Sequence, residues 1–181
     1  MSVSKWMSWE GGVDLVALSN EKIEMPNVIV HLARMVHTPV GSAPSGMILL
    51  PNEDGTPKIM TFVSTNFEVG NYFASNVFAG TPFENAPTVV GEINVSIAED
   101  LAEVTLKIEG FNVNLKLSNL GELTRVNRKS PNLPFNDDSL EAEARTVELT
   151  INGIVTPVIV PPMGMSGGPA AVYSATGVYS R

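Results

Sequence analysis

Ile93-Asn-Val-Ser-Ile-Ala-Glu-Asp-Leu-Ala-Glu-Val-Thr-Leu-Lys-Ile-Glu-Gly-Phe-Asn-Val-Asn-Leu-Lys-Leu117 decides the fold class of this chain. Its apolar residues recur at every second position: Ile93, Val95 and Ile97, then Ala102, Val104, Leu106 and Ile108, then Phe111, Val113, Leu115 and Leu117. Period two is the signature of a half-buried strand. If Glu109-Gly110 is a two-residue turn, Ile108 faces Phe111, Leu106 faces Val113, Val104 faces Leu115 and Ala102 faces Leu117. Glu103 then lies opposite Lys116 and Lys107 opposite Asn112, a wetted face of compatible pairs. A slip of one residue would turn every apolar side chain to water, so the register is well specified. A further turn over 98–101 brings Ile97 to Ala102, Val95 to Val104 and Ile93 to Leu106. The three strands form a meander with one dry face.

Working outward, Asn152-Gly153 marks a second hairpin, because both residues tolerate the positive φ of a type I′ turn. Ile151 then faces Ile154, Leu149 faces Thr156 and Val147 faces Val158. Pro157 has no N–H to give a further neighbour, which makes the segment 154–160 an edge strand or a bulged one. Other strands are expected at 28–37, 46–50, 58–65, 71–79 and 171–179, between turn-rich stretches such as Thr38-Pro-Val-Gly-Ser-Ala-Pro-Ser-Gly46. Roughly 8–10 short strands with Gly/Pro turns and no long helix predict an all-β chain, a single-domain antiparallel β-barrel or barrel-like β-sandwich spanning 1–181. Residues 1–20 are expected as an N-terminal arm or plug. Residues 121–144, with Arg125, Arg128, Lys129, Asp137, Asp138, Glu141 and Glu143, are expected as a long charged loop, either solvated or a lid.

The 181 residues carry 11 Lys plus Arg against 19 Asp plus Glu, a net charge of −8, which excludes a phosphate-facing nucleic-acid binder. There is no Cys, so disulfide scaffolds, zinc ribbons and thiol chemistry fall away. No apolar run approaches the ~20 residues of a membrane span, and the opening residues do not resemble a secretory leader; a cytoplasmic domain is expected. Only 17% of residues are charged, mean hydropathy is +0.14 and there are eight Met. Such apolar surface implies either a cavity inside the sheet or a partner outside it.

Candidate chemistry is sparse. The two histidines, His31 and His37, share a strand at an even spacing, which in an unbroken strand places both on the face of Ile29, Ala33 and Met35. An imidazole among apolar neighbours is a candidate general acid or base. The two lie about 20 Å apart along a strand, too far to share an ion, so no metal is expected. Trp6 and Trp9, ahead of Gly11-Gly12, read as a cover on the β core, fixed or hinged. Gly164-Met-Ser-Gly-Gly-Pro169 resembles the nucleophile loop of chymotrypsin-like serine proteases, an all-β family with the triad order His, Asp, Ser. The resemblance covers six residues and implies Ser166 as nucleophile, with His31 or His37 and Asp100; a tight turn explains the same glycines.

Three functions are therefore carried forward. The leading one is a hydrophobic small molecule bound in a β-barrel cavity by Met35, His31, His37, Trp6 and Trp9, without a cofactor. The protein is then a carrier, or a cyclase or isomerase acting by substrate orientation. The alternative is an interaction or self-assembly module forming homo-oligomers through edge strand 154–160. The third is a serine hydrolase using Ser166.

Overall fold

The computed structural model describes residues 5–181 and builds twelve strands from them. These are β1 (Trp6–Ala17), β2 (Val28–Thr38), β3 (Gly41–Pro51), β4 (Pro57–Ser64), β5 (Thr88–Val90), β6 (Glu92–Ala98), β7 (Leu101–Ile108), β8 (Phe111–Leu120), β9 (Thr124–Lys129), β10 (Asn136–Ile151), β11 (Ile154–Val155) and β12 (Ala171–Ser180). All belong to one sheet, in the order β5-β4-β3-β2-β1-β12-β10-β8-β7-β6, with β9 and β11 pairing to β10 off that path. Every pairing is antiparallel except β4 with β5. The sheet curls into an open half-barrel, so the all-β, barrel-like expectation holds.

The meander adopts the expected register at every pair: Ile108 with Phe111, Leu106 with Val113, Val104 with Leu115, Ala102 with Leu117, and Ile93 with Leu106 across β6 and β7. Its dry face closes over β1–β4. Val13, Leu15, Val30, Leu32, Ile48 and Val63 pack there against Val104, Leu106, Leu115, Leu117 and Leu149, all at 2% exposure or less. Each such aliphatic side chain contributes roughly 1.5–3 kcal/mol by leaving water. This interior is filled.

Four expectations are corrected. Of residues 1–20, expected as an arm or plug, 1–4 lie outside the described residues, and 6–17 form β1, between β2 and β12 in the middle of the sheet. The 121–144 segment is not a loop, because Thr124–Lys129 and the first half of β10 form a hairpin. The 71–79 stretch is helical: α1 (Phe67–Tyr72) continues as a π-helical turn, Phe73–Val77. Its aromatic and β-branched composition suggests a strand, but the buried residues Val69, Tyr72, Phe73 and Val77 follow the helical spacing, and Asn66 Oδ1 caps the start by accepting from the Glu68 and Val69 N–H groups. Finally, β3 starts at Gly41 rather than at 46, since only Pro39 and Val40 form the turn after β2. The Asn152-Gly153 turn is as expected, with φ of 49° and 79°, yet the edge strand after it stops at Val155, just before Thr156-Pro157. Ile154 and Val155 remain exposed.

One position tests the packing of the central strands. Gly46 faces Leu32 across β2 and β3, where the His31 carbonyl and the Leu32 Cα leave no room for a Cβ. Gly46→Ala is expected to cost about 1–3 kcal/mol through forced backbone movement. The measurement is a lowered urea midpoint at unchanged m-value; an unchanged midpoint would refute this close approach.

Candidate functional site

Over 12–17, 28–33 and 46–50 no residue of β1–β3 is exposed on either face. On the side away from the filled interior, Trp9, Ile29, Met47, Phe62, Phe135 and Tyr179 form a second cluster, covered by the α1 segment and by the loop between β9 and β10. The covering is incomplete. A cavity of about 70 Å³ lies there, bounded by Trp9, Asp14, His31, Arg128, Glu141 and Tyr179, with Phe78, Leu133, Phe135 and residues 164–166 around them. No member of the filled interior lines it. The room is therefore on the opposite face of the central strands from the one the meander encloses.

Two irregularities select which side chains reach this cavity. In β1, Trp9 and Asp14 are an odd number of residues apart, so unbroken alternation would separate them; both line the cavity. Gly11 lies between them at φ +64°, a conformation few other residues adopt. In β2 the pairing with β3 shifts between Ala33 and Val36, so that Val36, not Met35, joins Ile29 and Ala33. His31 faces the cavity. His37 is turned outward, its Nδ1 2.8 Å from Ser42 Oγ and its Nε2 3.4 Å from Glu10.

The expected site residues thus divide. His31, Trp9 and Ser166 border the cavity, whereas His37, Met35 and Trp6 do not. Met35 pairs with Glu10 across β2 and β1, and Trp6, 36% exposed, uses its backbone N–H to donate to the Tyr72 hydroxyl. Ser166 makes no hydrogen bond to His31, and Asp100 sits at the β6–β7 turn, accepting from the Leu120 N–H. The protease-like triad is not assembled.

A different pair is. Asp14 and His31 are direct cross-strand partners, and Asp14 Oδ1 lies 2.6 Å from His31 Nδ1. This fixes the tautomer and leaves Nε2 as the ring nitrogen free of that contact. Burial works against a charged imidazole here, but the Asp14 carboxylate and its hydrogen bond, with help from Asp137 and Glu141, outweigh it and hold His31 above its ordinary value.

The charged stretch supplies the other half of the site. Asp137, Ser139 and Glu141 occupy alternate positions of β10 and are buried, while Leu140 between them is 38% exposed. That inverted pattern, polar in and apolar out, is the trace in the sequence that could have revealed a polar interior. Arg128 of β9, opposite Asp137, directs Nη2 to Glu141 at 2.6 and 2.8 Å and lies 3.0 Å from Asp137 Oδ2. The Ser139 hydroxyl donates to Glu141 Oε1 at 2.9 Å. Arg125 and Asp138 pair on the outer face of the same hairpin. Gly168 explains the glycines of the 164–169 run: a Cβ there would meet the Arg128 guanidinium at 2.5 Å, so the planar group rests directly on backbone. Met165 O accepts from Asn132 Nδ2 at 3.1 Å, tying this loop to the one after β9.

Two groups in the cluster are under-satisfied. Arg128 Nε and both Asp137 oxygens are buried without a well-formed hydrogen bond, the Nη2 contact to Asp137 being misaligned. Burial, reinforced by Glu141 and opposed by Ser139 and Arg128, pushes the Asp137 carboxyl above its usual value. Tyr179 is stacked on Phe135 at 4.2 Å and lies nearly parallel to His31 at 6.3 Å. Burial, then the carboxylates Asp137, Asp14 and Glu141, push its phenol well above 10, so it remains a hydrogen-bond donor. Among the described residues no cluster of three or more His, Cys, Asp or Glu is arranged to hold a metal ion. No helix of the described residues is long and apolar enough to cross a membrane.

No protein-family profile matches the chain, and no curated protein matches its sequence. In shape it is similar to acetoacetate decarboxylase from Legionella pneumophila, at 6% identity and a TM-score of 0.43, over 97% of this chain and 84% of that one. A second acetoacetate decarboxylase structure is similar at 7% identity and a TM-score of 0.47, over 97% and 86%. Likeness at this level carries neither a reaction nor a site residue across.

The Asp14–His31 pair has a direct test. Asp14→Asn leaves the burial of His31 in place and removes its nearest charge, so the His31 titration midpoint, followed by imidazole NMR, is expected to fall. A raised histidine pKa stabilises the fold fully below the ordinary histidine value, and that contribution is lost as pH rises through the folded value. The substitution should therefore destabilise the protein most below neutral pH, and a pH-independent loss would contradict the pairing.

Proposed function

We propose that the cavity binds a compact organic molecule with an apolar body and acts on it by proton transfer, as an isomerase that needs no group beyond these side chains. The observation that carries this reading is the Asp14–His31 contact on the wall of a mostly apolar cavity. A catalytic acid or base works best with a pKa near the operating pH, and raising an imidazole above 6.5 moves it toward neutrality. Tyr179 borders the same space, and its phenol supplies a donor for an oxygen on which negative charge develops. No lysine lines the cavity, so a carbonyl compound would be activated by enolisation rather than through an imine.

Size supports one of the readings the sequence leaves open. A volume of about 70 Å³ is roughly half that of the ~150 Å³ cavity known to admit benzene. A cyclase that coils a long chain has no room here, and a simple carrier of apolar molecules has no use for four charged groups in its wall. The side chains of His31 and Asp14 remain 28% and 21% exposed, which gives the ligand access.

The test is deuterium wash-in. The protein is incubated in D2O near neutral pH with ketones of three or four carbons, and exchange beside the carbonyl is followed by NMR. The expected result is exchange faster than buffer for at least one compound, and a loss on the order of 10²-fold or more in His31→Gln. Exchange no faster than buffer across the panel, or undiminished in His31→Gln, would refute the reading.

A further inference from the structure

Around the cavity, fixed charge is unevenly divided. Asp14 and Glu141 line it and Asp137 stands behind Arg128, against one permanent cation, Arg128 itself. Three carboxylates less one guanidinium leave −2, and a proton on His31 makes this −1. If Asp137 also takes a proton, the sum reaches zero. None of these states is positive. Arg128 is moreover already occupied, since its Nη2 serves both Asp137 and Glu141, so it is a poor receptor for an added carboxylate.

The walls point the same way. Trp9, Phe78, Phe135 and Tyr179 border the space, and aromatic faces carry negative quadrupole potential that attracts cations, most strongly where water is thinned out. The Trp9 indole N–H is spent on Ser174 Oγ at 2.9 Å and is not offered to an anion. Two titratable groups on different strands, half-buried His31 and buried Tyr179, are both displaced toward their protonated forms, Tyr179 first by its burial, and the same three carboxylates, Asp14, Asp137 and Glu141, contribute to each shift.

Resting on the reading of the cavity as a small-molecule site, we infer that its ligand carries a positive charge: a small alkylammonium or other organic cation, held by aromatic faces beside Asp14 and Glu141. Carboxylate ligands are disfavoured, because an anion meets no net attraction and must compete with carboxylates already paired to Arg128.

The chain has two histidines, of which His37 is turned outward and serves as an internal control. Imidazole NMR is recorded while tetramethylammonium, butylammonium or butyrate is added to the full chain. The expected result is a saturable shift of His31 but not His37 with the ammonium probes, a lowered His31 midpoint, and affinity about tenfold above that of butyrate. Phe135→Leu should weaken the ammonium probes about threefold, and Glu141→Gln should weaken them further. Phe135→Leu leaves the Arg128 pairing intact, so it remains informative if Glu141→Gln fails to fold. Butyrate binding as tightly, or raising the His31 midpoint, would overturn the charge preference while leaving the proton-transfer reading intact. No saturable shift from any probe would overturn it as well. The proton-transfer reading falls separately, on the deuterium wash-in.

Discussion

The covering of both faces of β1, β2 and β3 over their middle stretches, 12–17, 28–33 and 46–50, is the constraint on which the rest of this molecule depends. On one face Val13, Leu15, Val30, Leu32 and Ile48 are covered by the sheet's own far strands. On the other, Trp9, Ile29, Met47 and Leu49 need a separate cover, supplied by the helical segment 67–77 and the β9–β10 hairpin. Glu10 of β1 and Arg34 of β2 sit in water at little cost, but at positions 14 and 31 the surroundings are mostly apolar. Asp14 and His31 are tolerable because they are directly opposite and satisfy each other. The same thinning of water that demands the pairing also strengthens every charge–charge interaction in the cavity.

The second charged group follows from the alternation of β10. Side chains at 137, 139 and 141 share the inner face, so a hairpin rich in charge places part of it inside. Arg128 from the facing strand compensates Asp137 and Glu141, and Gly168 lets its guanidinium lie flat on the loop. Compensation is incomplete, with Asp137 and Arg128 Nε left without good partners. Buried ion pairs of this kind stabilise a fold weakly compared with well-packed apolar residues of the same volume. Local conflict with the rules of folding, concentrated beside this cavity, is what a working site looks like.

The legible part of the sequence was the part written in short-range terms. The registers of β6–β8 and the Asn152-Gly153 turn follow from alternation and from residues that accept positive φ. The 71–79 stretch was less legible because aromatic and β-branched composition outweighed the helical spacing of its buried residues. His37 and Met35 illustrate a different failure. Counting along β2 places them with His31, and it is the irregularity before Val36 that sends them to the other side.

By itself the sequence determined that the chain is built from antiparallel strands, where the clearest hairpins turn and which residues form their dry face. These follow from a period of two and from turn chemistry, properties of neighbours a few residues apart. Only the tertiary structure decided that the interior of the meander is filled, that the cavity lies behind it, and that Asp14, His31, Arg128, Glu141 and Tyr179 from five strands share it. The physical reason is that bulges reset the phase of a strand and that a face becomes interior only when something distant in the chain covers it. Neither is encoded in the spacing of the residues concerned.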